Sequence, residues 1–306
     1  MGGHPGTASN KLGRRAFVRS TSGGLAAGYV LQLPALQAAP ADEPVEFLVA
    51  SDTHLGYRDQ ATAEKQWRAA AKELATLPGD LVLHLGDVVD GGRVQLYATY
   101  KEIRDSIGKP VYEIPGNHDP LDEFEKQLGR KLPYAVEHKW LRILLLNNSH
   151  LKSHDGFLGD EQLVWLDQQC QQAAAAGQLV VIAMHVPAHK NLHPDRGWYV
   201  KPANGQTQLY EILEKHADRV VCLLHGHFHN GVRGWHDHGP LYEMTCPSVL
   251  YNLDRKLEEQ QAPGFNLPEF RPGLTAFRLS REGLQIRYKP LGVDFSAKKS
   301  LDRKKL

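Results

Sequence analysis

The stretch VEFLVASDTH, residues 45–54, joins a short apolar run to a polar end. The run 45–50 has the length and composition of a buried strand. Asp52 and His54 follow it within four residues. We therefore predict a strand that ends in a loop carrying a carboxylate and an imidazole.

The residues that follow repeat this arrangement. Apolar runs at 80–85 and 111–114 are predicted strands, and longer segments with apolar residues at helical spacing are predicted helices at 61–77, 96–107 and 121–128. Strands that alternate with helices favour a parallel or mixed sheet. The first part of the chain is therefore predicted to be an α/β unit.

The rest of the chain is predicted to continue the α/β order and then change to strands. A hairpin is expected over 134–138 and 141–146, followed by helix 160–176, strand 179–184, helix 206–216 and strand 220–224. Beyond His229, antiparallel strands are expected at 231–235, 241–245, 274–279 and 284–288. We find no internal repeat and no linker that would divide residues 42–294.

Polar residues follow five of the predicted strands. They are Asp52 and His54, Asp87 and Asp90, Asn117 and His118, His185, and finally His227 and His229. The carboxyl ends of strands meet at one crevice of an open α/β sheet, so these loops are expected to converge. Carboxylates, imidazoles and an amide oxygen suit Fe, Mn or Zn, and two such ions support in-line displacement at phosphorus. The sequence therefore predicts phosphoester hydrolysis.

The five motifs together, D-x-H, GD-xx-D, GNH-D, H and GH-x-H, resemble those of the calcineurin-like metallophosphoesterase superfamily over residues 45–291. The resemblance implies a four-layer α/β/β/α sandwich of two mixed sheets flanked by helices. It also implies that Asp52, His54 and His229 hold one metal, that Asn117, His185 and His227 hold a second, and that Asp87 bridges both. A metal-bridging hydroxide would then attack phosphorus, with His118 as general acid and Asp90 as its orienting partner.

Five of the sixteen histidines lie in HGHFHNGVRGWHDH, residues 225–238. Only His227 and His229 fall in the implied ligand set. His225 is expected to end a strand as a packing residue, and His236 and His238 are expected in a turn beyond the site.

Other features bear on the substrate. Residues 156–166 resemble an element shared by class III cyclic-nucleotide phosphodiesterases and purple acid phosphatases, while residues 246–249 and 271–279 are more similar to the phosphodiesterase branch. Asp90 stands where the purple acid phosphatases have a tyrosine, which favours the phosphodiesterases. Asn147 and the single His185 depart from the phosphodiesterase pattern. We therefore predict a phosphodiesterase acting on a small molecule, with a phosphomonoesterase, a non-catalytic metal-binding scaffold and a nuclease as alternatives.

Residues outside the motifs carry weaker signals. His84 lies inside an apolar run and is expected in the core. Residues 184–199 include Lys190, Arg196 and Trp198 and are a candidate rim for a phosphate and an aromatic leaving group. His189 and His193 in the same stretch would either contact substrate or lie in an exposed loop. The three cysteines lack CxxC spacing and are given no role.

The first 41 residues are predicted to be a twin-arginine export signal. Arg14, Arg15 and Phe17 occupy the signature positions, a short apolar stretch interrupted by Pro34 follows, and small residues precede position 42. The protein is therefore expected to be periplasmic or otherwise extracytoplasmic, with no membrane span in the mature chain.

Loss of this segment would remove four positive charges and no acid from a formal net charge of +1, leaving −3. This balance gives no strong signal for nucleic-acid binding. The basic tail 295–306 is expected to be a solvated terminus.

Overall fold

The structure is a computed structural model and describes residues 43–190, 197–235, 241–253, 265–267 and 269–303. The predicted export signal lies outside the described residues, as do His193, Arg196, His236 and His238.

Strands and helices alternate over the first two thirds of the described chain, and strands follow. The strands are β1 (Val45–Ala50), β2 (Leu81–His84), β3 (Val111–Glu113), β4 (Tyr134–His138), β5 (Leu141–Leu145), β6 (Leu179–Ala183), β7 (Val220–His225), β8 (Arg233–Trp235), β9 (Tyr242–Thr245), β10 (Phe265–Asn266), β11 (Gly273–Leu279), β12 (Gly283–Pro290) and β13 (Ala297–Asp302). The helices are α1 (Gln60–Thr76), α2 (Tyr97–Asp105), α3 (Leu121–Leu128), α4 (Asp160–Ala175) and α5 (Gln206–Lys215). Single 3₁₀ turns occur at Val94–Leu96 and Pro202–Asn204.

These strands form two mixed sheets. The first has the order β13-β12-β11-β1-β2-β3, with β1, β2 and β3 parallel and the remaining neighbours antiparallel. The second has the order β10-β8-β9-β7-β6-β5-β4, in which β5, β6, β7 and β9 are parallel. The hairpin predicted over 134–146 is confirmed, because β4 and β5 pair antiparallel.

The alternation of side chains along β1 explains the layers. Phe47 and Val49 point into a core between the two sheets, where they share a cluster with Val181 and Leu224 of the second sheet. Leu48 points the other way. The sandwich buries apolar residues on both faces of each sheet, as the near-continuous apolar strands require.

Helices cover the two outer faces. Trp67 of α1 and Tyr100 of α2 pack on the outer face of the first sheet with Leu48. Leu166 of α4 and Leu209 of α5 pack on the second. The predicted four-layer α/β/β/α fold is therefore confirmed.

Two sequence expectations about the strands are wrong. The segment after His229 was expected to be antiparallel throughout, but β9 pairs parallel with β7 as well as antiparallel with β8. The tail was expected to be solvated, but β13 pairs with β12 along its length and Leu301 is buried. Residues 297–302 therefore complete the edge of the first sheet.

Candidate dinuclear metal centre

The loops that carry the predicted ligands lie at the carboxyl ends of their strands and are tied to one another. The backbone N–H groups of Asp52 and His54 donate to the carbonyls of Gly86 and Asp87, at 3.0 and 2.8 Å. The N–H of His227 donates to both carboxylate oxygens of Asp52, at 3.1 and 3.2 Å. Loops after β1 and β2 of the first sheet and after β7 of the second sheet are therefore joined by hydrogen bonds.

One group of potential metal ligands consists of Asp52, His54, Asp87 and His229, all buried. His229 Nε2 lies 3.1 Å from Asp52 Oδ1 and 3.1 Å from His54 Nε2. His54 Nε2 lies 3.3 Å from Asp87 Oδ2. These nitrogen and carboxylate atoms face a common point, which is the arrangement that a cation requires.

A second group consists of Asp87, His185 and His227, and Asn117 lies beside it in the loop after β3. His185 Nε2 lies 3.2 Å from Asp87 Oδ2. Asn117 Oδ1 and His227 Nε2 are buried and lack a hydrogen-bond partner, and His185 Nε2 is buried and makes no hydrogen bond of normal geometry in spite of its short distance to Asp87. Buried polar atoms without partners are costly, so three of them at one place indicate a ligand that satisfies them. The donor set fits a metal ion.

Asp87 is common to both groups. Its Oδ2 atom lies within 3.3 Å of His54 Nε2 and 3.2 Å of His185 Nε2, while its Oδ1 atom accepts a hydrogen bond of 2.8 Å from the backbone N–H of His118. One carboxylate oxygen thus faces both clusters. The residues therefore fit a dinuclear metal site with Asp87 between the two ions.

The site is built on strained backbone. Asp52, His54, Asp87, His227 and His229 all have positive φ angles, between 43° and 72°. Only three other non-glycine residues in the described part of the chain have a positive φ. A positive φ is uncommon for residues other than glycine, although aspartate and histidine adopt it more often than most, and such conformations concentrate at functional sites.

Glycines in the motifs allow the loops to approach closely. A Cβ atom on Gly116 would lie 2.1 Å from Asp87 Oδ1, and one on Gly226 would lie 2.2 Å from Ser51 Oγ and 2.7 Å from Asp52 Oδ2. Neither position has room for a larger residue. The glycines of the GNH and GH motifs are therefore needed for packing against the ligands themselves.

Asp90 connects two histidines at the edge of the site. Its Oδ1 atom lies 3.0 Å from His118 Nδ1 and 3.2 Å from His54 Nδ1, and its Oδ2 atom accepts a hydrogen bond of 2.5 Å from Arg93. The predicted pairing of His118 with Asp90 is thus present in the geometry. The contacts to His54 and Arg93 had no sequence signal.

The charges of these groups depend on one another. Burial alone would raise the pKa of the Asp87 carboxyl, but His185 and His54 hold it well below its ordinary value. The pKa of Asp90 is also lowered, because hydrogen bonds from His118 and His54 outweigh burial. Burial lowers the pKa of His118, but its hydrogen bond to Asp90 and the nearby Asp87 charge give a net increase. The carboxylates are therefore ionised and able to bind cations.

Asp119 is a site residue that the motif contained but that had no assigned role. Its buried carboxylate accepts hydrogen bonds from the backbone N–H groups of Val88, Val89 and Gly116 and from the hydroxyl of Tyr97, at 2.9 to 3.1 Å. It therefore joins the loop that carries Asp87 to the loop that carries Asn117. Its position directly after Gly116-Asn-His118 was the available signal.

Three histidines outside the proposed ligand set, His84, His225 and His189, are buried. His84 is fully buried with its ring against Trp67 and Tyr100, which confirms a core position. His225 ends β7 and is buried between the carbonyl of Met184 and the carboxylate of Glu243, at 3.0 and 2.9 Å. His189 is buried too, and its backbone N–H donates to Glu243. It therefore does not lie in an exposed loop.

The cysteines are buried and free, and burial raises their pKa values, to about 12 for Cys170. Within the described residues, no helix is long and apolar enough to cross a membrane.

The site opens into a cavity of about 260 Å³. Its walls include the aromatic side chains of Tyr57, His154, Trp198, Phe228 and Tyr251. Trp198 belongs to the rim that the sequence indicated, whereas the exposed Lys190 is not among the residues that line the cavity. Tyr57, His154 and Tyr251 come from loops without a motif, so sequence patterns could not identify them.

Comparison with known proteins agrees with this geometry. A profile of the calcineurin-like phosphoesterase family matches residues 45–231. A probable glycerophosphodiester phosphodiesterase of Arcobacter nitrofigilis is 29% identical over 159 residues, which cover 49% of this chain and 56% of that protein. The chain thus spans little more than half the length of this relative. A 3′,5′-cyclic adenosine monophosphate phosphodiesterase of Pseudomonas aeruginosa is 26% identical over 257 residues, 79% of this chain and 88% of that protein.

Solved structures show the same fold at lower identity. A dimetal phosphatase from Danio rerio has a TM-score of 0.62 at 17% identity, covering 85% of this chain and 99% of the other. A purple acid phosphatase from yellow lupin has a TM-score of 0.64 at 13% identity, covering 87% of this chain and 55% of the other.

Proposed function

The chain belongs to the calcineurin-like phosphoesterase family, and we propose that it is a dinuclear-metal phosphodiesterase that acts on small molecules. The observation that carries the proposal is the position of Asp87, whose Oδ2 atom faces both His54 and His185. A family match gives the class of reaction, namely metal-dependent phosphoester hydrolysis. The preference for diesters is our inference from the two phosphodiesterase relatives and from Asp90, which takes the place of the purple acid phosphatase tyrosine.

We assign the ligands as the clusters suggest. Asp52, His54 and His229 would hold one ion, Asn117, His185 and His227 would hold the other, and Asp87 would contact both. Two cations held there, of Fe, Mn or Zn, would act as Lewis acids toward the phosphoryl oxygens and supply a water-derived nucleophile at neutral pH. Burial of the ligands in a site of low dielectric strengthens these interactions.

His118 is proposed as the general acid. Its Nδ1 atom lies 3.0 Å from Asp90 Oδ1 and accepts a hydrogen bond of 3.1 Å from the backbone N–H of Gly91, so Nε2, which makes neither contact, is left for the substrate. Burial lowers the pKa of His118, but the hydrogen bond to Asp90 and the Asp87 charge raise it overall, which favours the protonated ring that a general acid requires. The ring lines the cavity, with its centroid 4.6 Å from that of His54, so Nε2 can deliver a proton to a departing oxygen beside the proposed ligands.

The experiment that tests the function is a substrate panel with metal analysis. Purified protein is assayed on bis(p-nitrophenyl) phosphate, p-nitrophenyl phosphate, a cyclic nucleotide and a glycerophosphodiester, and its metal content is measured in the same preparation. We expect hydrolysis of the diesters at higher kcat/KM than of the monoester. A higher rate on the monoester would favour a phosphomonoesterase, and a metal-loaded protein inert toward all four would favour a scaffold.

A nuclease is the remaining alternative. Hydrolysis of single-stranded DNA with a steep dependence on salt concentration would support it, because contacts with a polyanion release counterions. We expect no such dependence for the small diesters.

We also propose export by the twin-arginine route, from Arg14, Arg15 and Phe17 and from the short apolar stretch and small residues that follow them. If it occurs, the protein folds before it crosses the membrane, so the metals would be bound in the cytoplasm and the substrates would be extracytoplasmic.

A further inference from the structure

Two aromatic pairs stand on the wall of the cavity. The rings of Tyr57 and Tyr251 are stacked with centroids 5.2 Å apart and planes at 24°. The rings of His154 and Trp198 are stacked more closely, with centroids 4.2 Å apart and planes at 16°. All four side chains line the same cavity.

The two pairs lie beside different clusters of proposed ligands. Tyr251 is 4.4 Å from the ring of His229, and its carbonyl lies 3.0 Å from His229 Nδ1, so it supports that ligand directly. The rings of His154 and Trp198 lie 5.8 and 5.6 Å from the ring of His227. The His154–Trp198 stack therefore stands at the edge of the second cluster.

The backbone holds this stack in place. His154 and Trp198 belong to two loops joined by an isolated parallel bridge between Gly156 and Val200. The N–H of Gly156 donates to the carbonyl of Tyr199 at 3.3 Å, and Lys201 forms an ion pair of 2.5 Å with Asp155. Both rings are thus positioned by cross-links one to three residues away in the chain. A surface formed before substrate arrives costs less ordering on binding.

We propose that the His154–Trp198 stack is a platform for a planar aromatic or heteroaromatic group of the ester, and that it makes the enzyme prefer such esters to aliphatic ones. The inference rests on the proposed phosphodiesterase function. A phosphate placed between the two clusters would have the stack beside one of its ester groups. A planar group gains contact area and favourable stacking on aromatic rings, whereas a glycerol-like group gains little of either.

Trp198→Leu is the principal test, measured on bis(p-nitrophenyl) phosphate and on glycerophosphoethanolamine, an entirely aliphatic diester. We expect kcat/KM for the aromatic ester to fall roughly 5- to 100-fold, mainly through KM, as expected for loss of one stacking contact. The value for the aliphatic ester should change by less than about twofold. For each substrate, kcat/KM of the variant is divided by that of the wild type, so the different reactivities of the two leaving groups cancel.

Two further variants separate stacking from folding. Trp198→Phe keeps an aromatic ring and should retain most of the preference, and His154→Ala should lose part of it. Phe157→Leu is the matched control, because Phe157 is an exposed aromatic residue of the same loop that does not line the cavity. It should leave both substrates unchanged.

The proposal would be overturned if Trp198→Leu lowered kcat/KM equally for the two substrates, lowered it more for the aliphatic one, or lowered it for neither. These outcomes all presuppose a wild-type enzyme that hydrolyses diesters. If the metal-loaded wild type hydrolyses neither substrate, the proposed function itself fails, and the platform fails with it. If Trp198→Leu does not fold, His154→Ala and Trp198→Phe carry the comparison.

Discussion

Nδ1 of His118 lies 3.0 Å from Oδ1 of Asp90, and that same oxygen is 3.2 Å from Nδ1 of His54. One carboxylate oxygen therefore contacts both the proposed general acid and a proposed metal ligand. The guanidinium of Arg93 donates a hydrogen bond to the other carboxylate oxygen, Oδ2 of Asp90. Asp90 thereby links the residue proposed to donate a proton to a residue proposed to bind metal.

Replacement of His118 by alanine should separate these functions. We expect His118→Ala to retain its metals and to lose roughly 100- to 10,000-fold in kcat on esters with aliphatic leaving groups, the usual range for loss of a general acid. The loss should be smaller for nitrophenyl esters, whose leaving group needs little protonation. The test is to measure kcat on a series of esters with different leaving groups, together with the metal content of each protein preparation. His150→Ala, at an exposed histidine, is the control, and an equal loss across the series would argue against the assignment.

Asp90→Asn should affect both histidines. The amide would no longer stabilise a protonated His118, and it would orient His54 less strongly, so both kcat and the affinity for one metal should fall. Titration of the apoprotein with Mn²⁺ or Zn²⁺ by calorimetry, beside steady-state kinetics, tests this. A variant with reduced kcat and unchanged affinity at both sites would show that Asp90 acts through His118 alone.

Gly226→Ala should destabilise the protein. The new Cβ would lie 2.2 Å from Ser51 Oγ and 2.7 Å from Asp52 Oδ2, so a loop or a ligand must move. Overpacking of this kind costs about 1–3 kcal/mol in the free energy of unfolding. Gly197→Ala is the control, since Gly197 lies outside the helices, its φ is not positive, and no atom other than those of its chain neighbours lies within 4 Å of an added Cβ. Urea unfolding of the two apoproteins measures the difference, and equal stabilities would contradict the close packing described for Gly226.

Export should depend on Arg14 and Arg15. Replacing both with lysine keeps the charge but alters the twin-arginine pattern, so the protein should remain in the cytoplasm of a bacterium with a functional twin-arginine system. Immunoblots of cytoplasmic and periplasmic fractions test this, with Lys11→Arg as the control. Periplasmic accumulation of the double variant would refute this route.

The sequence predicted the features that depend on local patterns. Asp52 and Asp87 follow the parallel neighbours β1 and β2 of the first sheet, so their proximity could be predicted from strand order. His227 follows β7 of the second sheet, so its approach to Asp52 depends on the packing of the two sheets. The four layers were implied by the resemblance to the calcineurin-like family, and the structure accounts for them by the opposite directions of side chains such as Phe47 and Leu48.

Other features depend on contacts between distant segments. Tyr57, Tyr251 and His154 reach the cavity from loops whose composition is ordinary, and only the folded chain brings them together. The sequence of β13 is AKKSLD, which contains no apolar run, so sequence patterns could not identify this strand. Its pairing with β12 is provided by backbone hydrogen bonds, which any sequence can form.

The most direct test of a dinuclear centre at Asp87 is the metal content of wild-type protein and of Asp87→Asn, measured by inductively coupled plasma mass spectrometry together with the rate on bis(p-nitrophenyl) phosphate. We expect two metal ions per wild-type chain, and loss of both bound metal and turnover in the variant. Chelation should abolish the activity of the wild type, and added metal should restore it. A wild-type enzyme that is fully active without metal, or an Asp87→Asn variant that keeps two ions and full activity, would contradict a centre built around Asp87.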